Sequence, residues 1–181
     1  MTVFLITGLR KQIMNNTELL WNDFCKYFVY KKEDYLKIAD YCNKNCKEMK
    51  DIAVKTADET AEHTFLFRLP WDMEATSEAV HFDGKIEWSY CLNEDEEFVF
   101  QLNRHRYWIC LGQAYRLYSD DKYVKAFTEQ LLDWISENIE IEKTDKMLWR
   151  TLEAGLRVDY WVRAMALFAD SPFITGDVKE K

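Results

Sequence analysis

The stretch from Leu148 to Arg163 most constrains what this chain can fold into. Residues four apart on a helix share a face, so Trp149, Glu153, Arg157 and Trp161 fall in one line that reads aromatic, acid, base, aromatic. Leu148, Leu152 and Leu156 form a neighbouring line able to enter a core. The spacing predicts a helix beginning near Leu148, with one oily side and one aromatic, charged side. That second side suits the wall of a sugar-binding cleft. Aromatic faces stack on sugar rings, and an arginine fork reads a carboxylate or a sulfate. The same spacing also describes a surface Glu153–Arg157 pair between two half-buried tryptophans.

Five glycines and two prolines in 181 residues leave few breakers. Long helices with plain turns are expected, and an all-β sandwich is not. The length is enough for one domain with a substantial core. A net charge of −8 does not favour a nucleic-acid backbone, although a local basic patch could still meet an acidic polymer. The cysteines at 25, 42, 46, 91 and 110 are odd in number and lack the spacing of a small disulfide framework. They read as free thiols, and no metal or cofactor is expected. The run Val3-Phe4-Leu5-Ile6 is too short for a signal core, and no apolar run reaches membrane length. The expected compartment is the cytoplasm, or the periplasm or exterior if a leader has been removed.

Residues 1–14 carry weak signals and read as a loose lead-in. Asn16-Thr17-Glu18 can start a helix through Leu19, Leu20, Phe24 and Phe28. A second helix is expected from Glu33 to Met49, paired with the first across Tyr30–Lys32. From residue 51 to 97 the helical pattern breaks. His63 to Leu69 is β-branched and aromatic, and Val80–Phe82 and Ile86–Trp88 flank an Asp83-Gly84 turn, so short extended pieces are expected. One further helix is expected from Glu97 or Asn103 to Leu117. Another, capped by Asp120 or Asp121, should run through Tyr123, Phe127, Leu131 and Trp134 to Ile135. Residues 138–147 form a polar connection.

Two clusters could carry chemistry. Asp72 and Glu74 would share one face of a strand, but a glycosidase pair needs a fixed separation across a bond, which sequence proximity does not supply. Loop capping is the simpler role. Asn103-Arg104-His105-Arg106-Tyr107-Trp108 is richer. Placed at a helix start it would favour carboxylated or sulfated ligands, and His105 alone has the chemistry of a general base. The alternative is a capped helix start with exposed arginines.

Taken together, Gln101-Leu102-Asn103-Arg104-His105, Asp120-Asp121-Lys122-Tyr123, Asp133-Trp134-Ile135 and Trp149-Arg150-Thr151-Leu152-Glu153, with Arg157 and Trp161, resemble the N-terminal domain of heparinase II/III-type polysaccharide lyases. The upstream Phe67…Pro70-Trp71-Asp72-Met73-Glu74 is similar to that domain's lead-in. The resemblance implies a mainly α fold, an incomplete α/α toroid of helical hairpins with an extended insertion around 63–90. It divides the chain into a helical lead-in (1–59) and the family-like α/α domain (60–181).

The resemblance also implies β-elimination at a uronic acid in an acidic polysaccharide. The family's charge-neutralising Asn or His and its Tyr/His pair lie mainly downstream of this segment, and the chain stops soon after Asp170-Ser171-Pro172-Phe173. No catalytic residue is therefore carried over, and the enzyme question stays open. Asn103, Arg104, His105, Trp149, Glu153, Arg157 and Trp161 are the expected substrate-side residues, as cleft lining or as architecture. On the cleft reading, Arg157→Ala weakens oligosaccharide binding. The expected partners are an acidic polysaccharide and either the downstream toroid and β-sandwich domains or a second copy, with no nucleic acid and no membrane. A rival reading is a non-catalytic helical scaffold that docks through an uncovered face.

Overall fold

The computed structural model describes residues 16–140 and 146–180; the lead-in at 1–14 and much of the polar connection at 138–147 lie outside them. Helix α1 occupies 16–28, where Trp21, Phe24 and Phe28 stack in turn at centroid distances of 5.3 and 5.4 Å. Helices α2 (Lys32–Asn45) and α3 (Lys47–Ala61) follow. The expected single helix to Met49 is thus two helices, parted at Cys46 with ψ 36°. The second of them runs eleven residues, 51–61, into the stretch where the pattern was expected to break. Helix α3 buries Ala53, Ala57 and Thr60, so it meets the core through small side chains. No large apolar periodicity marks it in the sequence. The boundary drawn at 59/60 falls in its last turn.

The extended insertion holds one small antiparallel pair, β1 (Thr64–Phe65) and β2 (Val80–His81), with Thr64 opposite His81. Gly84, at φ 89°, takes the turn after β2. Much of the segment is irregular backbone, held by buried Phe65, Phe67, Ile86, Trp88 and Leu92. Each such side chain removed from water contributes roughly 1.5–3 kcal/mol.

Asp95 starts α4 (Glu96–Arg104) by accepting from Glu97 N at 3.0 Å. The expected continuous helix to Leu117 is broken. His105 sits at φ 61°, ψ 28°, and α5 (Tyr107–Tyr118) begins beyond it. Asp120 caps α6 (Asp121–Asn138) through Lys122 N at 2.9 Å, as expected. A 3-10 turn at Lys146–Trp149 leads into α7 (Thr151–Phe168), and α8 (Gly176–Lys179) follows. Trp149 therefore precedes the helix that it was expected to join.

Helix α5 is the centre of the packing, against α3, α6 and α7. Its Trp108, Cys110, Leu111 and Ala114 are fully buried. At Gly112 the helices approach so closely that an added Cβ would stand 2.6 Å from Leu167 Cβ. No described helix is long and apolar enough to cross a membrane.

Candidate functional site

The break between α4 and α5 creates a physical problem. A helix that ends inside a protein exposes carbonyls with no intrahelical partner, and here Asn103, Arg104 and His105 are all buried. The line of residues on α7 grips this end one turn at a time, and its Arg157 supplies a donor to one of those carbonyls. Glu153 Oε1 accepts from Arg104 Nη2 at 2.8 Å. One turn on, Arg157 Nε donates to Asn103 O at 2.8 Å, and its Nη2 donates to Leu148 O. One turn further, Trp161 Nε1 donates to His105 Nδ1 at 2.9 Å. Three successive i,i+4 positions thus hold three consecutive residues of the broken helix end.

The surroundings tighten this clasp. Asn103 Nδ2 donates to Trp88 O (2.7 Å) and Val99 O (2.8 Å), while its Oδ1 accepts from Trp134 Nε1 (2.8 Å). Arg104 also reaches Glu97 Oε1 at 2.5 Å. The Arg157 guanidinium lies 4.3 Å from the Trp134 ring and 5.1 Å from Trp149, a cation beside two neighbouring aromatic rings. His105 stacks on Trp108 at 3.9 Å and 5°. Trp108 Nε1 in turn donates to Gln130, which donates to Thr60 O.

Electrostatics follow from the burial. Desolvation, with the Arg157 charge second, holds the His105 imidazole well below its usual pKa, so the ring is neutral. Desolvation also lowers Arg157 to about 10, against the opposing charge of Glu153 and then Tyr107. Burial pushes the Tyr107 phenol well above its ordinary range, with Arg157 opposing. A sealed, neutral imidazole whose Nδ1 accepts an indole N–H is a poor base for an incoming substrate.

Of the expected substrate-side residues, Asn103, Arg104, His105, Glu153 and Arg157 are buried, and Trp149 and Trp161 are half-buried. The structure brings all seven into one neighbourhood, with the charged side of α7 turned inward. Leu152, on the line expected to enter the core, is instead 47% exposed. The cluster at 103–108 straddles two helices: Asn103 and Arg104 close α4 with His105 as its left-handed cap, and Arg106, Tyr107 and Trp108 start α5. Asp72 Oδ2 accepts from Leu69 N at 2.7 Å, the loop-capping role, and Glu74 is exposed. Sequence reading missed Trp88, Gln130 and Trp134 as polar partners. The i,i+4 pair Gln130 and Trp134 on α6 was the available signal. Arg150, exposed at the start of α7, stacks 4.0 Å over Phe100 and was likewise not singled out.

The model of the heparinase II/III N-terminus matches residues 11–179. The chain belongs to this family. The heparin-sulfate lyase of Bacteroides stercoris is 28% identical over 141 residues, covering 68% of this chain and 20% of that protein. The heparin-sulfate lyase of Pedobacter heparinus is 33% identical over 99 residues, 52% of this chain and 15% of that protein. The crystal structure of heparan sulfate lyase HepC from Pedobacter heparinus superposes with a TM-score of 0.60 at 26% identity, over 68% of this chain and 19% of that one. The helices thus form part of the α/α toroid of heparinase II/III proteins, and the chain spans about a fifth of the length of the relatives it matches.

Proposed function

We propose that this chain is the opening arc of the α/α toroid of a lyase acting on a uronic-acid-containing polysaccharide of the heparin or heparan sulfate class. In such a β-elimination a polar or cationic group neutralises the uronate carboxylate, a base removes the C5 proton and an acid protonates the departing O4. The chain's share is architectural. Glu153, Arg157 and Trp161 fasten Asn103, Arg104 and His105, and thereby set the angle between successive hairpins that wall the cleft. Trp149 and Arg150 stand at the outer edge of the clasp, Arg150 with 48% of its side chain exposed, and are the residues best placed to meet an anionic sugar.

The match to the heparinase II/III N-terminus over 11–179 carries this reading. The inward-facing charged line on α7 supports the architectural role over direct ligand contact. Acting alone, the chain should have no eliminase turnover. An absorbance assay for unsaturated uronate products on heparan sulfate, hyaluronan and alginate tests this, together with oligosaccharide binding. Weak binding of heparan sulfate oligosaccharides without product is the expected result. Turnover by this chain alone overturns the architectural role, and absence of binding to every acidic glycan removes the cleft from the reading.

One observation favours a second role beside the first. The outer side of α7 exposes two separate apolar side chains, Leu152 at 47% and Val158 at 65%, which the next hairpin or a second copy of the chain would cover. The mass in solution separates monomer from self-associated scaffold.

A further inference from the structure

Away from the clasp, a cavity of about 310 Å³ lies among α2, α3, α5 and α7, with Ile38, Met49, Leu117 and Leu167 on its walls. An apolar cavity of about 150 Å³ already takes up a benzene ring, and ligand sites commonly begin near 300 Å³. The space is therefore that of a small organic body. Its charged lining has one sign. Lys50, Arg106 and Arg116 all line it, and none of the described lining residues is acidic, although the whole chain carries a net charge of −8.

The three cations are differently engaged. Arg116 pairs with Asp170 at 2.6 Å, and its guanidinium lies 4.0 Å from the Tyr35 ring. Lys50 lies 3.6 Å from Asp51 and donates to Asn43 at 3.1 Å. Arg106 is held between Trp71 at 5.2 Å and Tyr160 at 5.8 Å, and its Nη1 is buried with no hydrogen-bond partner. Its electrostatic neighbours include Asp72 and the Cys110 thiol. The sealed Nη1 does not face the cavity, but the Arg106 side chain lines its wall, and a guanidinium fork beside an apolar space favours a carboxylate head.

We propose that this cavity binds a small amphipathic organic anion, a monocarboxylate with an alkyl or aryl body, whose head meets Arg106 and whose body lies against Ile38, Met49, Leu117 and Leu167. The site is separate from the clasp and does not depend on the lyase reading.

Titration calorimetry on the full chain tests it with octanoate and naphthoate, and with octanol as the uncharged counterpart. Both carboxylates should bind one to one, and octanol about tenfold more weakly or worse, the worth of one charge-assisted hydrogen bond. The tighter of the two acids tells whether the natural body is alkyl or aryl. Arg106→Gln should lower octanoate affinity about tenfold or more and leave octanol unchanged. Ala39→Phe, which fills the cavity from α2, should abolish binding of all three with the circular dichroism of the folded chain retained. Absence of carboxylate binding at millimolar ligand overturns the site, as does equal affinity for octanol and octanoate. An Arg106→Gln chain that binds octanoate unchanged overturns it too. If Arg106→Gln does not fold, binding that survives Ala39→Phe overturns the proposal by itself.

Discussion

Replacing Arg157 by alanine removes the middle rung of the clasp. The side chain donates to two carbonyls, Asn103 O and Leu148 O, and hydrogen bonds from a charged donor are worth about 1.5–3 kcal/mol each. Its contact with the Trp134 and Trp149 rings adds about 0.5–2 kcal/mol per ring. Against these stands the cost of keeping the guanidinium out of water, visible in its pKa of about 10. The substitution also orphans the Asn103 carbonyl and leaves Glu153 with less opposing charge. Breaking a buried charged network by removing one member costs about 3–5 kcal/mol, and that is the expected net loss. For a chain of this size it corresponds to a fall in Tm of roughly 6–20 °C. Urea unfolding followed by tryptophan fluorescence measures it, with Arg157→Lys as the companion, since one ammonium cannot replace a fork that reaches two carbonyls. A loss below about 1 kcal/mol, the size expected of a surface pair, refutes the reasoning.

Acidification tests His105. Its folded pKa is depressed by burial and the Arg157 charge, so the unfolded chain takes up a proton near 6.5 while the folded one does not. The stability it contributes is complete above that pH and is lost as pH falls below it, by up to about 1.4 kcal/mol per pH unit. His105→Asn, which tolerates the left-handed backbone, should flatten urea midpoints compared between about pH 7 and pH 5.5. Gly112→Ala should destabilise by about 1–3 kcal/mol through overpacking, because the added Cβ meets Leu167 Cβ. Thermal unfolding reads this, and an unchanged Tm counts against the close α5–α7 approach. Gly155→Ala in α7, with nothing within 4 Å of the new Cβ, should instead stabilise by about 0.5–1 kcal/mol, and the same melt shows the opposite sign.

The elements with local markers were legible. Asp120 announced α6, and the spacing at 148–163 announced most of α7. Helix α3 was not, because Ala53, Ala57 and Thr60 bury a face too small to register as hydrophobic. Nor was the α4–α5 break, since neither glycine nor proline marks His105; the surrounding packing holds its left-handed backbone. The direction of the charged line on α7 was hidden for a different reason. Glu153 and Arg157 look like an i,i+4 surface pair because their partners, Arg104 and Asn103, lie about fifty positions earlier. A buried ion pair between distant segments has no local signature, whereas the spaced motifs around it, from Gln101–His105 to Trp149–Glu153, carried the family resemblance.

The most direct test of the clasp is hydrogen exchange at three indole N–H groups by NMR: Trp161 to His105, Trp134 to Asn103 and Trp149 to Asn138. The account predicts that Trp161 and Trp134 are protected to near the global unfolding free energy, with shifts that do not move when heparan sulfate oligosaccharide is added. Trp149, at the outer edge, should be the first of the three to respond to it. Fast exchange at Trp161 and Trp134, or shifts there that follow the oligosaccharide, would mean that the charged side of α7 faces a ligand instead of a broken helix end.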